Sequence, residues 1–90
     1  MFEIKRRPTT PGEVLKEEFL IPLGMTQVEL AAKIRVPLQR VNTIIAGRRA
    51  VTAETAILLA KVFKTSPEFW MNLQTAVDLW EARQKLKLAS

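Results

Sequence analysis

Residues 27–44 read QVELAAKIRVPLQRVNTI, two short amphipathic runs hinged at Arg35-Val36-Pro37. By helical spacing Leu30, Ile34, Val36, Val41 and Ile44 fall on the side that faces a core behind both runs. Ala31 supplies the small side chain that lets one helix approach the next closely. Leu38, Gln39, Arg40, Asn42 and Thr43 are left on the outward face of the second run. A small residue, a three-residue turn and a second apolar pair at these intervals spell a helix-turn-helix.

Working outward, the rest of the chain is punctuated by helix starts. Thr10-Pro11-Gly12-Glu13 places a hydroxyl at the N-cap, proline at the first position and a carboxylate where it closes a capping box, so a first helix is expected over about Pro11 to Leu20. Pro22 and Gly24 should break it. Thr26-Gln27-Val28-Glu29 repeats the box and opens the second helix, which ends near Ile34; the third runs from about Leu38 to Ala46, where Gly47 stops it. Thr52 caps a fourth over Ala53 to Phe63, with Ile57, Leu58, Ala60, Lys61 and Val62 making it suited to the centre of a bundle. Ser66-Pro67-Glu68 opens a fifth, whose stripe of Phe69, Trp70, Leu73, Ala76, Val77 and Trp80 lasts to about Ala82. No segment alternates like a strand. The expectation is an all-α, compact five-helix bundle: a flexible N-terminal arm over residues 1–9, one domain over 10–83 and a frayed tail over 84–90.

Ninety residues hold one small core, and the absence of cysteine and histidine removes thiol nucleophiles, imidazole bases and most transition-metal sites. Neither an enzyme, a metal, a cofactor nor a small-molecule ligand is expected. Glu13, Glu17 and Glu18 read as exposed charges near a helix N-terminus, placed by the helix dipole. The net charge of +5 is not spread evenly. Residues 11–29 carry −3, whereas residues 30–53 hold Lys33, Arg35, Arg40, Arg48 and Arg49 with no carboxylate. A basic block coinciding with the turn and third helix points to a polyanion, and with a helix-turn-helix to double-stranded DNA. No apolar leader or spanning run is visible, so a cytoplasmic location is expected, with no membrane partner.

Chemistry then assigns roles. Gln39 suits adenine N6 and N7, Arg40 suits guanine O6 and N7 or a phosphate, Thr43 suits a thymine methyl or a base edge, and Leu38 suits a methyl by apolar contact. Gln27, at a helix N-terminus, is the natural phosphate contact of the second helix; Lys33, Asn42, Arg48 and Arg49 are the other expected phosphate contacts. Trp70 is expected to be mostly buried, and Trp80, close to the end of the chain, to be core or interface.

Four stretches carry a family resemblance: PGEVLKEEF (11–19), LGMTQVELA (23–31), RVNTIIAGRR (40–49) and TSPEFWMNLQ (65–74). Together they resemble the HigA-type, or VapI-like, antitoxins of the XRE helix-turn-helix family, over about Pro8 to Glu81, with the last stretch the most distinctive. The resemblance implies a lambda-repressor-like DNA-binding fold in a bacterial, nucleoid-associated protein. It implies a homodimer that represses its own operon at a palindromic operator and neutralises HigB, a small basic mRNA endoribonuclease of RelE-like fold. Family dimers commonly use the C-terminal part of the chain, which makes Trp70, Leu73, Val77 and Trp80 the expected interface. The chain departs from the pattern at Arg35 and Lys64, where glycine is usual, at Pro37, where serine or threonine is, and at Leu38, where a polar residue is common.

Overall fold

The computed structural model describes residues 6–89. The first five positions of the expected arm, and Ser90 of the expected tail, lie outside the described residues. Five helices and no strand occur among those described. We label the helix over residues 11–23 α1, Gln27–Ile34 α2, Leu38–Ile45 α3, Ala53–Phe63 α4 and Pro67–Ala89 α5. None is long and apolar enough to cross a membrane.

Helix α1 outruns its expected end at Leu20. It is built of Pro11–Val14, a π-helical Leu15–Leu20 and Ile21–Leu23 in unbroken succession. The Ile21 N–H donates to the Lys16 carbonyl, five residues back. A proline ring ordinarily presses on the carbonyl four residues before it, and the widened π turn gives Pro22 room. Gly24, at φ 64°, then ends the helix in the left-handed region.

The caps are those the sequence calls for, with one difference. Thr26 accepts the Glu29 N–H while the Glu29 carboxylate accepts the Thr26 N–H, both at 3.0 Å. That backbone donor, with the Thr26 side chain, holds the Glu29 carboxyl below its ordinary range. At Thr10 the box is half made. The hydroxyl accepts the Glu13 N–H at 3.1 Å and donates to the Glu13 carboxylate at 3.2 Å, so the Thr10 N–H takes no part. Thr52 and Ser66 accept from Thr55 and Phe69 to cap α4 and α5.

Leu15, Leu30, Val41, Leu59 and Trp70 are the largest side chains wholly withdrawn from solvent, one or more from each helix. Ala31, Ile34 and Ile44 join them, and Val36 packs half-buried against them, which is the arrangement expected of the helix-turn-helix. Phe19, Phe63 and Phe69 surround Trp70 with ring centroids 5.1 to 6.3 Å from it, and the Trp70 indole N–H donates to the Thr65 hydroxyl at 2.8 Å. The phase of α4 differs from expectation. Thr55, Ala56, Leu59 and Ala60 point inward, while Ile57 is 47% exposed.

Helix α5 continues past Ala82 through the residues expected as a frayed tail, to Ala89. At 1.5 Å per residue it is about 34 Å long, and the molecule measures 45 × 24 × 20 Å.

Candidate nucleic-acid interface

The turn between α2 and α3 is made by Arg35, in the left-handed conformation at φ 57° and ψ 47°. Its N–H and that of Val36 reach back to Ala32 and Ala31, so the chain reverses within three residues. Pro37, extended at ψ 143°, occupies the N-cap of α3 with no side-chain cap. Its rigid φ sets the helix going, and in place of a side-chain cap the Arg40 N–H donates to the Pro37 carbonyl at 3.0 Å.

Helix α3 is held from behind. Val41 and Ile44 sink into the core, and α1 crosses so close that a Cβ on Gly12 would collide with the Ile44 carbonyl oxygen and lie 2.8 Å from the Ile45 Cα. Only glycine permits that approach. At its far end, Gly47 at φ 78° turns the chain so that the Arg48 and Arg49 N–H groups both donate to the Thr43 carbonyl, at 2.9 and 3.2 Å. The loop after α3 is thereby clamped to the helix. Gln74 clamps it a second time from α5: its buried side chain accepts the Val51 N–H at 2.9 Å and donates to Asp78 at 2.8 Å.

With α3 fixed on three sides, its outward face is free. Leu38, Gln39 and Asn42 are exposed. Thr43 is half-buried, and its hydroxyl donates to the Gln39 and Arg40 carbonyls at 2.8 and 3.1 Å. Its hydroxyl donor is therefore used within the helix, which leaves the methyl group and the oxygen's acceptor capacity as what it can offer a ligand. Arg40 is half-buried, with its Nε covered and without an acceptor among the described residues. Gln39, Arg40, Thr43, Pro37 and Arg49 line one cleft of about 230 Å³. Of the expected phosphate contacts, Arg49 joins this cleft, Arg48 lies beside it in the loop, and Lys33 and Gln27 stand on α2 at opposite ends of that helix.

The four residues expected to pair two copies are divided. Trp70 is 0% exposed and Val77 is buried within the protomer, so neither has surface to offer a second chain. Leu73 packs half-buried against the core. At Trp70 and Val77 the apolar stripe of α5 is core. Trp80, like Leu73, is half-buried; its indole N–H is covered and has no acceptor among the described residues, and the residue borders an open hollow with Ala82, Gln84 and Lys85. Leu79 and Leu86 are exposed on the same stretch of helix.

Gly12 and Gln74 were not singled out for these roles from the sequence. Gly12 reads as part of a cap and Gln74 as part of a motif, and what makes each matter is a contact with a segment more than twenty residues away.

A short turn, a helix held from behind and a carboxylate-free outward face define a helix-turn-helix module of the kind that presents its second helix to a duplex. Comparison with known proteins agrees. Residues 15–70 match the helix-turn-helix family HTH_3. The chain is 45% identical over 87 residues to the uncharacterized HTH-type transcriptional regulator YbaQ of Escherichia coli K12, covering 97% of this chain and 77% of that one. It is 46% identical over 85 residues to antitoxin HigA-1 of Vibrio cholerae, covering 94% and 80%. The Pseudomonas aeruginosa antitoxin HigA, solved with the higBA promoter, superposes with a TM-score of 0.85 at 39% identity, covering 88% of this chain and 86% of that one. The chain belongs to the XRE-type helix-turn-helix family, among its HigA-type antitoxins.

Proposed function

We propose that this protein is the antitoxin of a type II toxin–antitoxin system, a homodimer that represses its own operon at a palindromic operator and neutralises a HigB/RelE-like mRNA endoribonuclease in the bacterial cytoplasm. The observation that carries the DNA-binding half is the outward face of α3, bordered by Arg48 and Arg49 within a stretch, residues 30–53, that has no carboxylate. A relative with the same fold was solved on its promoter.

In this reading α3 lies in the major groove. Gln39 pairs with an adenine edge, Arg40 with guanine or an adjacent phosphate, and Leu38 and Thr43 pack on thymine methyls. Gln27, Lys33, Asn42, Arg48 and Arg49 hold phosphates and fix the register. One module of this size makes few base contacts, so two are needed, with their α3 helices about 34 Å apart on one face of the duplex. Trp80, with Leu79 beside it, is the surface proposed to join them. Repression follows from occupancy, and no bond is made or broken by this chain.

The name of HigA-1 supports the antitoxin half; YbaQ is named only as an HTH-type transcriptional regulator, which fits equally a second reading, a stand-alone regulator without a toxin. Co-expression with the small basic reading frame beside its gene separates them. Rescue of growth arrest and co-purification through a tag on one chain are expected. A neighbour that neither arrests growth nor co-purifies removes the antitoxin role and leaves the regulator.

A further inference from the structure

Arg7 precedes α1, and its Nη2 donates to Glu81 Oε2 on α5 at 3.0 Å. The pair borders a cavity of about 320 Å³ enclosed by the N-terminal segment, the loop after α3 and α5; Arg48 and Arg49 line the same cavity. Arg49 also lines the cleft shared by Gln39, Arg40 and Thr43. Arg49 is thus common to two hollows, one lined by the base-facing residues and the other by Arg48, Arg7, Asp78 and Glu81. The two side chains of the ion pair are 45% and 50% exposed. An ion pair so open to water is weak and exchanges readily, and a guanidinium binds phosphate in the same forked geometry as carboxylate.

We propose that Arg7 is a DNA backbone contact. On a duplex its guanidinium leaves Glu81 for a phosphate next to those held by Arg48 and Arg49, and the segment before α1 lengthens the footprint of α3. Glu81 is then a competitor that parks Arg7 at the edge of the interface when no DNA is bound. The inference rests on the DNA-binding reading above and concerns the sequence-independent part of the affinity.

The test is fluorescence anisotropy over a range of salt, using the full chain and two duplexes: the DNA upstream of its own coding sequence and a scramble of it. Arg7→Gln is expected to reduce the slope of log K against log salt by about 0.9 per protomer and to weaken both duplexes alike, by roughly 3- to 10-fold at physiological salt. Glu81→Gln is expected to tighten binding up to a few-fold, and the gain to vanish in the Arg7→Gln/Glu81→Gln double variant. An unchanged slope in Arg7→Gln overturns the inference. So does parallel weakening by the two single variants, which is the mark of a pair that only anchors the chain, or a gain from Glu81→Gln that survives in the double variant. Should Arg7→Gln fail to fold, the sign of the Glu81→Gln effect decides: tighter binding supports the inference, and weaker or unchanged binding overturns it. A wild-type chain that does not distinguish its upstream DNA from the scramble removes the specific DNA-reading function itself. Intact discrimination with an unchanged Arg7→Gln slope removes only the role of Arg7.

Discussion

Helix α3 is divided around its circumference, whereas α5 is divided along its length. In α3, Val41 and Ile44 face the core and Leu38, Gln39 and Asn42 face away. In α5 the first half carries Trp70, Gln74 and Val77 into the body of the protein, and the second half leaves that body, with Trp80 half-covered and Leu79 and Leu86 in solvent. Both helices have apolar residues at three- and four-residue intervals. For a short helix pinned at each end, that periodicity says which side chains are free. For a long helix it says which side is apolar, and nothing of how far the neighbouring helices extend to cover it.

The sharpest way to break this comparison is to truncate the two tryptophans of α5 in turn. Trp70→Ala is expected to cost about 3–5 kcal/mol, since it empties the centre of the aromatic cluster and strands the Thr65 hydroxyl; urea denaturation measures it. Trp80→Ala is expected to cost the protomer less than about 1 kcal/mol and to show instead in sedimentation equilibrium as weakened self-association. Equal losses of stability from the two variants would abolish the lengthwise division.

The pinning of α3 is tested from behind. Gly12→Ala pushes a methyl group into the Ile44 carbonyl and the Ile45 Cα, both backbone, so no side chain can swing aside. A loss of about 2–3 kcal/mol is expected by urea denaturation, with weakened DNA binding although residue 12 lies on the opposite side of α3 from its exposed face. A neutral Gly12→Ala would mean that α1 does not fix α3.

The smallest expected effect lies at the two left-handed positions that flank these helices. Arg35 and Lys64 both sit at φ 57°, a conformation that costs a side chain about 1 kcal/mol. Lys64→Gly relieves that strain and loosens the unfolded chain in part compensation, so a gain of up to about 1 kcal/mol is expected in thermal or urea unfolding. Arg35→Gly should behave alike in stability and, by removing a charge near the duplex, lower DNA affinity where Lys64→Gly does not.

The helix-turn-helix was legible because its determinants are local. Thr26 and Glu29 cap each other three residues apart, and Leu30, Ile34, Val41 and Ile44 stand where a helical period puts them. The family's departures were legible for the same reason: Arg35 and Lys64 take up the left-handed turns usually given to glycine. What the sequence hides is non-local. The π turn that carries Pro22, the outward phase of Ile57, the close approach at Gly12 and the clamp of Gln74 on Val51 each depend on a neighbour or a backbone register that periodicity does not encode. The burial of Trp70 and Val77 within the protomer has the same origin. Both lie on the apolar stripe of α5, and there that stripe is covered by this chain's own helices.

The central claim is that the outward face of α3 reads base sequence. Its most direct test is a competition binding assay on the DNA upstream of the gene, with every base pair of the protected site varied in turn, for the wild type, Gln39→Ala and Arg48→Ala. Gln39→Ala should lose about 1–3 kcal/mol of discrimination at one base pair in each half-site, while Arg48→Ala should weaken all sequences evenly. If Gln39→Ala weakened every sequence evenly, or not at all, α3 would not be the reading helix.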